Sequence, residues 1–164
     1  MNRRDGTQAS TKRCKSRSTS EQNGTTQSPA QQRPHNEDKE VWKKYWATVQ
    51  PKEWLEAWGH WRTEPEIDAE RQKYLAERRS ITPNIEQGIY PFKNIELNRA
   101  DVEWLLATHE NGRGPIDWSD ESQRERQGLD LRGADLQKIN LKSLPLTGIY
   151  GGLPLGIYPP AFNK

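Results

Sequence analysis

The residues able to do chemistry are few and scattered. Histidine occurs three times, as His35, His60 and His109, and cysteine once, as Cys14. Three separated histidines give no metal-ligand spacing. A lone cysteine excludes an intramolecular disulfide framework and a cysteine-based zinc site. His109-Glu110 lacks a second histidine four residues on, so it is not the helix of a zinc protease. Gly112-Arg113-Gly114-Pro115 is glycine-rich, but no Gly-Lys-Ser/Thr follows it, and a turn is expected there rather than a phosphate cradle. Carboxylates are plentiful because the helical stretches are highly charged, and no serine-histidine-acid set stands out. The chain therefore reads as non-enzymatic. No catalytic, cofactor-binding or metal residue is assigned, and no cofactor is expected.

The aromatic residues are more organised. Five of the seven tryptophans lie between residues 42 and 61. Trp42 and Trp46 are four apart, and Trp54, Trp58 and Trp61 follow the i, i+4, i+7 spacing of one helical face. Such a stripe is either the core of a small helical cap or, if too broad to bury, a partner surface. Both readings use the same five residues.

The elements that carry these residues follow from caps and breakers. Helices are expected over about 38–49, 51–61 and 65–79. Pro51 suits a first turn, and Thr63 with Glu66 resembles a capping box. Ile81-Thr82-Pro83-Asn84 breaks the third helix. Ile89, Tyr90, Phe92, Ile95 and Leu97 suit an extended lead-in. Asn98 then caps a helix from about 99 to 109, ended by Asn111-Gly112, and a short helix over about 119–127 stops at Gly128.

Composition separates this body from a tail. Residues 1–36 contain four hydrophobics (Met1, Ala9, Cys14 and Ala30), seven basic residues and two acidic ones. That segment cannot bury enough apolar surface to order itself and is expected to be disordered. Its charge suits nucleic acid, but no aromatic side chain lies among its basic residues to stack on a base. No run approaches the roughly 18–20 apolar residues of a membrane span, and no apolar stretch follows the basic N-terminal residues as in a secretory signal. A cytoplasmic protein with no membrane partner is expected.

The most regular part is 129–148, which divides into LDLRG-ADLQK-INLKS-LPLTG. The first and third positions are Leu129 and Leu131, Ala134 and Leu136, Ile139 and Leu141, Leu144 and Leu146. All eight are aliphatic, and none of the other twelve residues is a large hydrophobe. An amphipathic helix repeats near 3.6 and a strand alternates without resetting, so a period of five fits neither.

This segment resembles the pentapeptide-repeat family, whose consensus is roughly Ala-Asp/Asn-Leu-X-X. Residues 95–153 are also similar to the entry region of bacterial members. The resemblance implies a right-handed quadrilateral β-helix in which each five-residue unit forms one side of a square and the eight aliphatic residues point inward. Pro145 departs from the family's Asp/Asn, and Leu144 is larger than its usual Ala. Residues 90–104 also divide into three units, in competition with the helix from 99. The expected fold is α+β, in four parts. A disordered basic tail (1–36) precedes a Trp-rich, mainly helical region (37–128), one coil of β-helix (129–148) and an irregular C-terminal tail (149–164).

One coil falls short of the three or more units a solenoid needs. After Gly148 the period fails, and Leu153-Pro154-Leu155-Gly156-Ile157-Tyr158 echoes Leu144-Pro145-Leu146-Thr147-Gly148-Ile149-Tyr150 with one residue missing. A shortened relative of a longer solenoid is the favoured reading. Some family members imitate DNA, a role that needs a long acidic rod. Residues 37–164 hold 18 basic and 21 acidic residues and one coil, which do not make one. The expected function is a structural or protein-interaction scaffold, partnered by another protein or by a second copy through the coil edge. The alternative is a nucleic-acid-associated protein using the basic tail and the tryptophan helices.

Overall fold

A computed structural model describes residues 33–35 and 37–152. Five helices occur among them: α1 (Lys39–Val49), α2 (Lys52–Trp58), α3 (Ala69–Arg79), α4 (Arg99–Ala107) and the single turn α5 (His109–Gly112). Residues 1–32 and 36 of the expected disordered tail, and 153–164 of the C-terminal tail, lie outside the described residues, while Arg33 pairs with Glu66. Among the described residues, no helix is long and apolar enough to cross a membrane.

Local chemistry sets most boundaries. The Asp38 side chain accepts from the Glu40 N–H to start α1, and Asp68 accepts from the Arg71 N–H to start α3. α1 ends at Gln50, which the following Pro51 holds in an extended conformation. α2 stops after Trp58 because Gly59 takes a left-handed φ of 66°. The expected helix over 51–61 is therefore shorter. The helix expected from 65 begins at Ala69, because the Thr63 N–H donates to Glu103 Oε2 rather than joining a capping box with Glu66. The helix over 119–127 is only a 3-10 turn, Glu121–Gln123. The extended lead-in over 89–97 is a run of turns with isolated bridges at Asn84–Ile89 and Glu96–Asp135.

α4 is the central element. Asn98 and Asp101 form a reciprocal capping box at its start, and Val102, Trp104, Leu105, Leu106 and Ala107 are buried along it. They share one core with Trp61, Leu75, Phe92, Leu97, Leu129, Leu131 and Leu144. The helical region and the repeat thus form a single hydrophobic unit.

The expected β-helix coil is not present. Among the described residues there is no strand and no sheet, and the fold is helical with turn-rich connections rather than α+β. The period of five survives as turns. Gly133, Lys138, Ser143 and Gly148 all have positive φ, one every five residues. Just before three of them, Asp130, Asp135 and Asn140 accept from the N–H two residues on, at 2.9–3.0 Å. Pro145 breaks that series. A sheet needs successive bridges along neighbouring strands. Here only three residues separate one turn from the next, so the segments at 94–97 and 150 that lie alongside the repeat meet it in single bridges. Pairing is confined to isolated bridges, Glu96–Asp135 and Asp130–Tyr150. All eight aliphatic residues still face the core. Leu129, Leu131 and Leu144 are buried, while Ala134, Leu136, Ile139, Leu141 and Leu146 are partly buried against them.

Candidate functional site

The tryptophan cluster is packed into the protein. Trp42, Trp46 and Trp61 are buried, and Trp54 and Trp58 are partly buried against the core. Trp46 Nε1 donates to Glu64 O at 2.9 Å, and the Trp54 and Trp61 rings lie 5.9 Å apart. Trp61, placed by its spacing on the helical stripe, lies beyond the end of α2. Little of the five rings remains for stacking on a base or a sugar.

Two buried carboxylates on α4 hold the elements together. Asp101 receives Arg71 Nε at 3.0 Å and Nη2 at 2.8 Å. That ion pair raises the Arg71 pKa. Glu103 accepts from the backbone N–H groups of Thr63 and Glu64, from Thr63 Oγ1, and from Arg99 Nε. Arg99 in turn donates to the carbonyls of Asn140 and Lys142 at 2.6 and 3.0 Å, and to Trp61 O at 3.3 Å. One ion pair therefore ties the tryptophan segment, α4 and the repeat. Its donors and acceptors are all engaged within the fold, so it has a structural role.

One concave surface is bordered by residues of the core. After α3, the chain turns through Ile81, Thr82, Pro83 and Ile85 to form one wall of a groove of about 640 Å³. Pro91, Phe92, Gln127, Leu129, Asp130, Arg132 and Tyr150 also line it. Ile85 is 47% exposed and Tyr150 50%, both large for apolar side chains. A concave site of this size, apolar with a few fixed polar groups, has the character of a binding pocket.

The polar groups are fixed by neighbours. Arg132 lies between the rings of Tyr90 (5.0 Å) and Tyr150 (5.6 Å) and pairs through two bonds with Asp130, which raises its pKa. His109 Nε2 lies 2.7 Å from Gln127 O, to which it donates. Glu110 adopts a left-handed φ of 47° and is held by the buried Arg126, which also donates to Gly114 O and Pro115 O. Arg79, from the end of α3, donates through Nη1 to Thr108 O and Oγ1. Burial lowers its pKa.

Of the residues that line this groove, only Leu129 was a candidate site residue in sequence; Ile81, Thr82, Pro83, Phe92 and Gly128 entered only as boundaries or lead-in, and His109-Glu110 only as a rejected metal motif. Its walls come from segments about 40 to 70 residues apart. The only local signals were the short apolar turn at Ile81–Ile85 and the aromatic at 150. Among the described residues, no group of three or more His, Cys, Asp or Glu side chains is placed to hold a metal ion. Comparisons with family models, with curated proteins and with solved structures find no match to this chain.

Proposed function

We propose that this chain is a protein-interaction scaffold whose docking surface is the groove between Ile81–Ile85 and Leu129–Tyr150, and that it takes an extended apolar segment of a partner protein. The observation that carries this reading is an open apolar channel with two exposed hydrophobic rims, Ile85 and Tyr150, on a body braced by buried ion pairs. Proline and aromatic side chains line it, which suits an extended rather than a helical occupant. The half-buried Arg79 makes one end cationic, so the complementary segment is apolar without being basic. The resemblance of 129–148 to pentapeptide repeats supports the scaffold reading through its sequence and its spacing of turns.

The test is a peptide-display selection on the full chain, with Ile85→Asn as the comparison. Ile85 is exposed, so the variant should fold normally. The reading predicts enriched apolar segments that lose binding to the variant. Equal binding to both proteins, or no enrichment over an unrelated protein, would contradict it.

A further inference from the structure

The groove contains a guanidinium whose neighbours leave it without a counter-charge. Arg71, Arg99, Arg126 and Arg132 pair with Asp101, Glu103, Glu110 and Asp130, respectively. Arg79 has no carboxylate partner among the described residues. Its Nη1 is engaged with Thr108, and its carbon centre sits 5.7 Å from the Trp104 ring. Nε and Nη2 donate to nothing among the described residues. Those two nitrogens form the edge of a guanidinium that receives a carboxylate through two parallel bonds. The carboxylates already in the lining are committed: Asp130 to Arg132, and Glu110 to Arg126 and Arg113.

We propose that Arg79 is the specificity-determining residue of this groove and binds a carboxylate carried by the apolar segment of the partner protein. The proposal rests on the docking function assigned to the groove and narrows its ligand class. The ligand presents an aliphatic or aromatic group to the exposed Ile85 and Tyr150 with a carboxylate beside it, supplied by an Asp or Glu side chain or a chain end. A phosphate suits the site less well. Only one donor edge is free, no lysine lines the groove, and Asp130 and Glu110 stand nearby. A half-desolvated cation at the edge of an apolar cavity favours a single matched anion over water.

A pair of probes isolates the contact: 4-phenylbutyrate and its neutral isostere 4-phenylbutyramide, titrated at millimolar concentration into the isotope-labelled full chain and followed by NMR. The carboxylate should bind about tenfold tighter, the size of one charge-assisted hydrogen bond at a half-exposed group. The preference should vanish in Arg79→Gln, survive in part in Arg79→Lys, and shrink as salt is added. If Arg79→Gln does not fold, the salt-sensitive ratio on the unaltered chain still decides. Equal affinities, with shifts in the groove, would overturn the carboxylate assignment and leave the docking reading standing. Shifts from neither probe in the groove would remove both. A preference unchanged in Arg79→Gln would assign it to another residue. Tighter binding after removal of 153–164 would make that segment the occupant. Dimers abolished by Ile85→Asn would make it a second copy. Either result overturns the partner-protein proposal.

Discussion

Glu103 is the residue whose loss should cost most for its size. Its side chain is 2% exposed and accepts four hydrogen bonds. Oε2 takes the N–H groups of Thr63 and Glu64, at 2.9 and 3.0 Å, and Oε1 takes Thr63 Oγ1 and Arg99 Nε, at 3.0 and 2.9 Å. In Glu103→Ala, two backbone donors lose their acceptor and Arg99 loses its counter-charge. Breaking a buried pair in this way costs about 3–5 kcal/mol. Glu103→Gln should behave differently. Its amide oxygen can keep both backbone bonds if the nitrogen takes the Oε1 position. There the Thr63 hydroxyl can turn and accept, so the main loss is the charge-assisted bond to Arg99, about 1.5–3 kcal/mol. Urea unfolding of the full chain measures both. With a slope near 2 kcal/mol per molar, the midpoint should fall by roughly 2 M for Ala and about half that for Gln. Equal losses in the two variants, or a loss under about 1 kcal/mol in Glu103→Ala, would refute the account of Glu103 as the brace between Thr63, Glu64 and Arg99.

Other consequences are independent of that brace. A Cβ on Gly128 would overlap the backbone carbonyl oxygen of Gly148, so Gly128→Ala should lower the thermal midpoint by the equivalent of about 1–3 kcal/mol or more. Gly151→Ala, where a Cβ meets nothing, is the control and should stay within about 0.5 kcal/mol. Leu131→Ala should cost about 2–5 kcal/mol in chemical unfolding, while the exposed Gln137→Ala should stay near zero. The half-buried Arg62 lies 3.4 Å over the Trp46 ring, and burial lowers its pKa to about 10. The folded state therefore disfavours its cation, a penalty present in full below about pH 10 and relieved as pH rises above it toward the ordinary guanidinium range. Arg62→Met should thus be neutral or stabilising at pH 7, with its advantage shrinking above pH 10, as read from paired unfolding curves.

Local chemistry was legible in the residues where it acts alone. Asn98 and Asp101 cap α4, and the five-residue spacing became a series of turns with positive φ at every fifth residue. What failed was whatever depended on distant partners. Thr63 looked like a cap, yet Glu103, forty residues on, takes its N–H, and Asp68 caps α3 instead. The β-helix failed because strand pairing is a property of neighbouring segments, and those beside 129–148, at 94–97 and 150, meet it in single bridges that never extend into strands. Trp61 fits a helical stripe by number, but Gly59 ends α2 first and the ring is buried by tertiary packing. The groove was invisible for the same reason. Arg79, Phe92, Leu129 and Tyr150 carry no local pattern that foretells their meeting.

The docking function is tested most directly by mapping a display-selected apolar peptide on the labelled full chain by NMR. The account predicts shifts concentrated at 79–92, 127–132 and 150, and their loss in Ile85→Asn. Shifts centred on α1 and α2, or spread without focus and unchanged in Ile85→Asn, would contradict it.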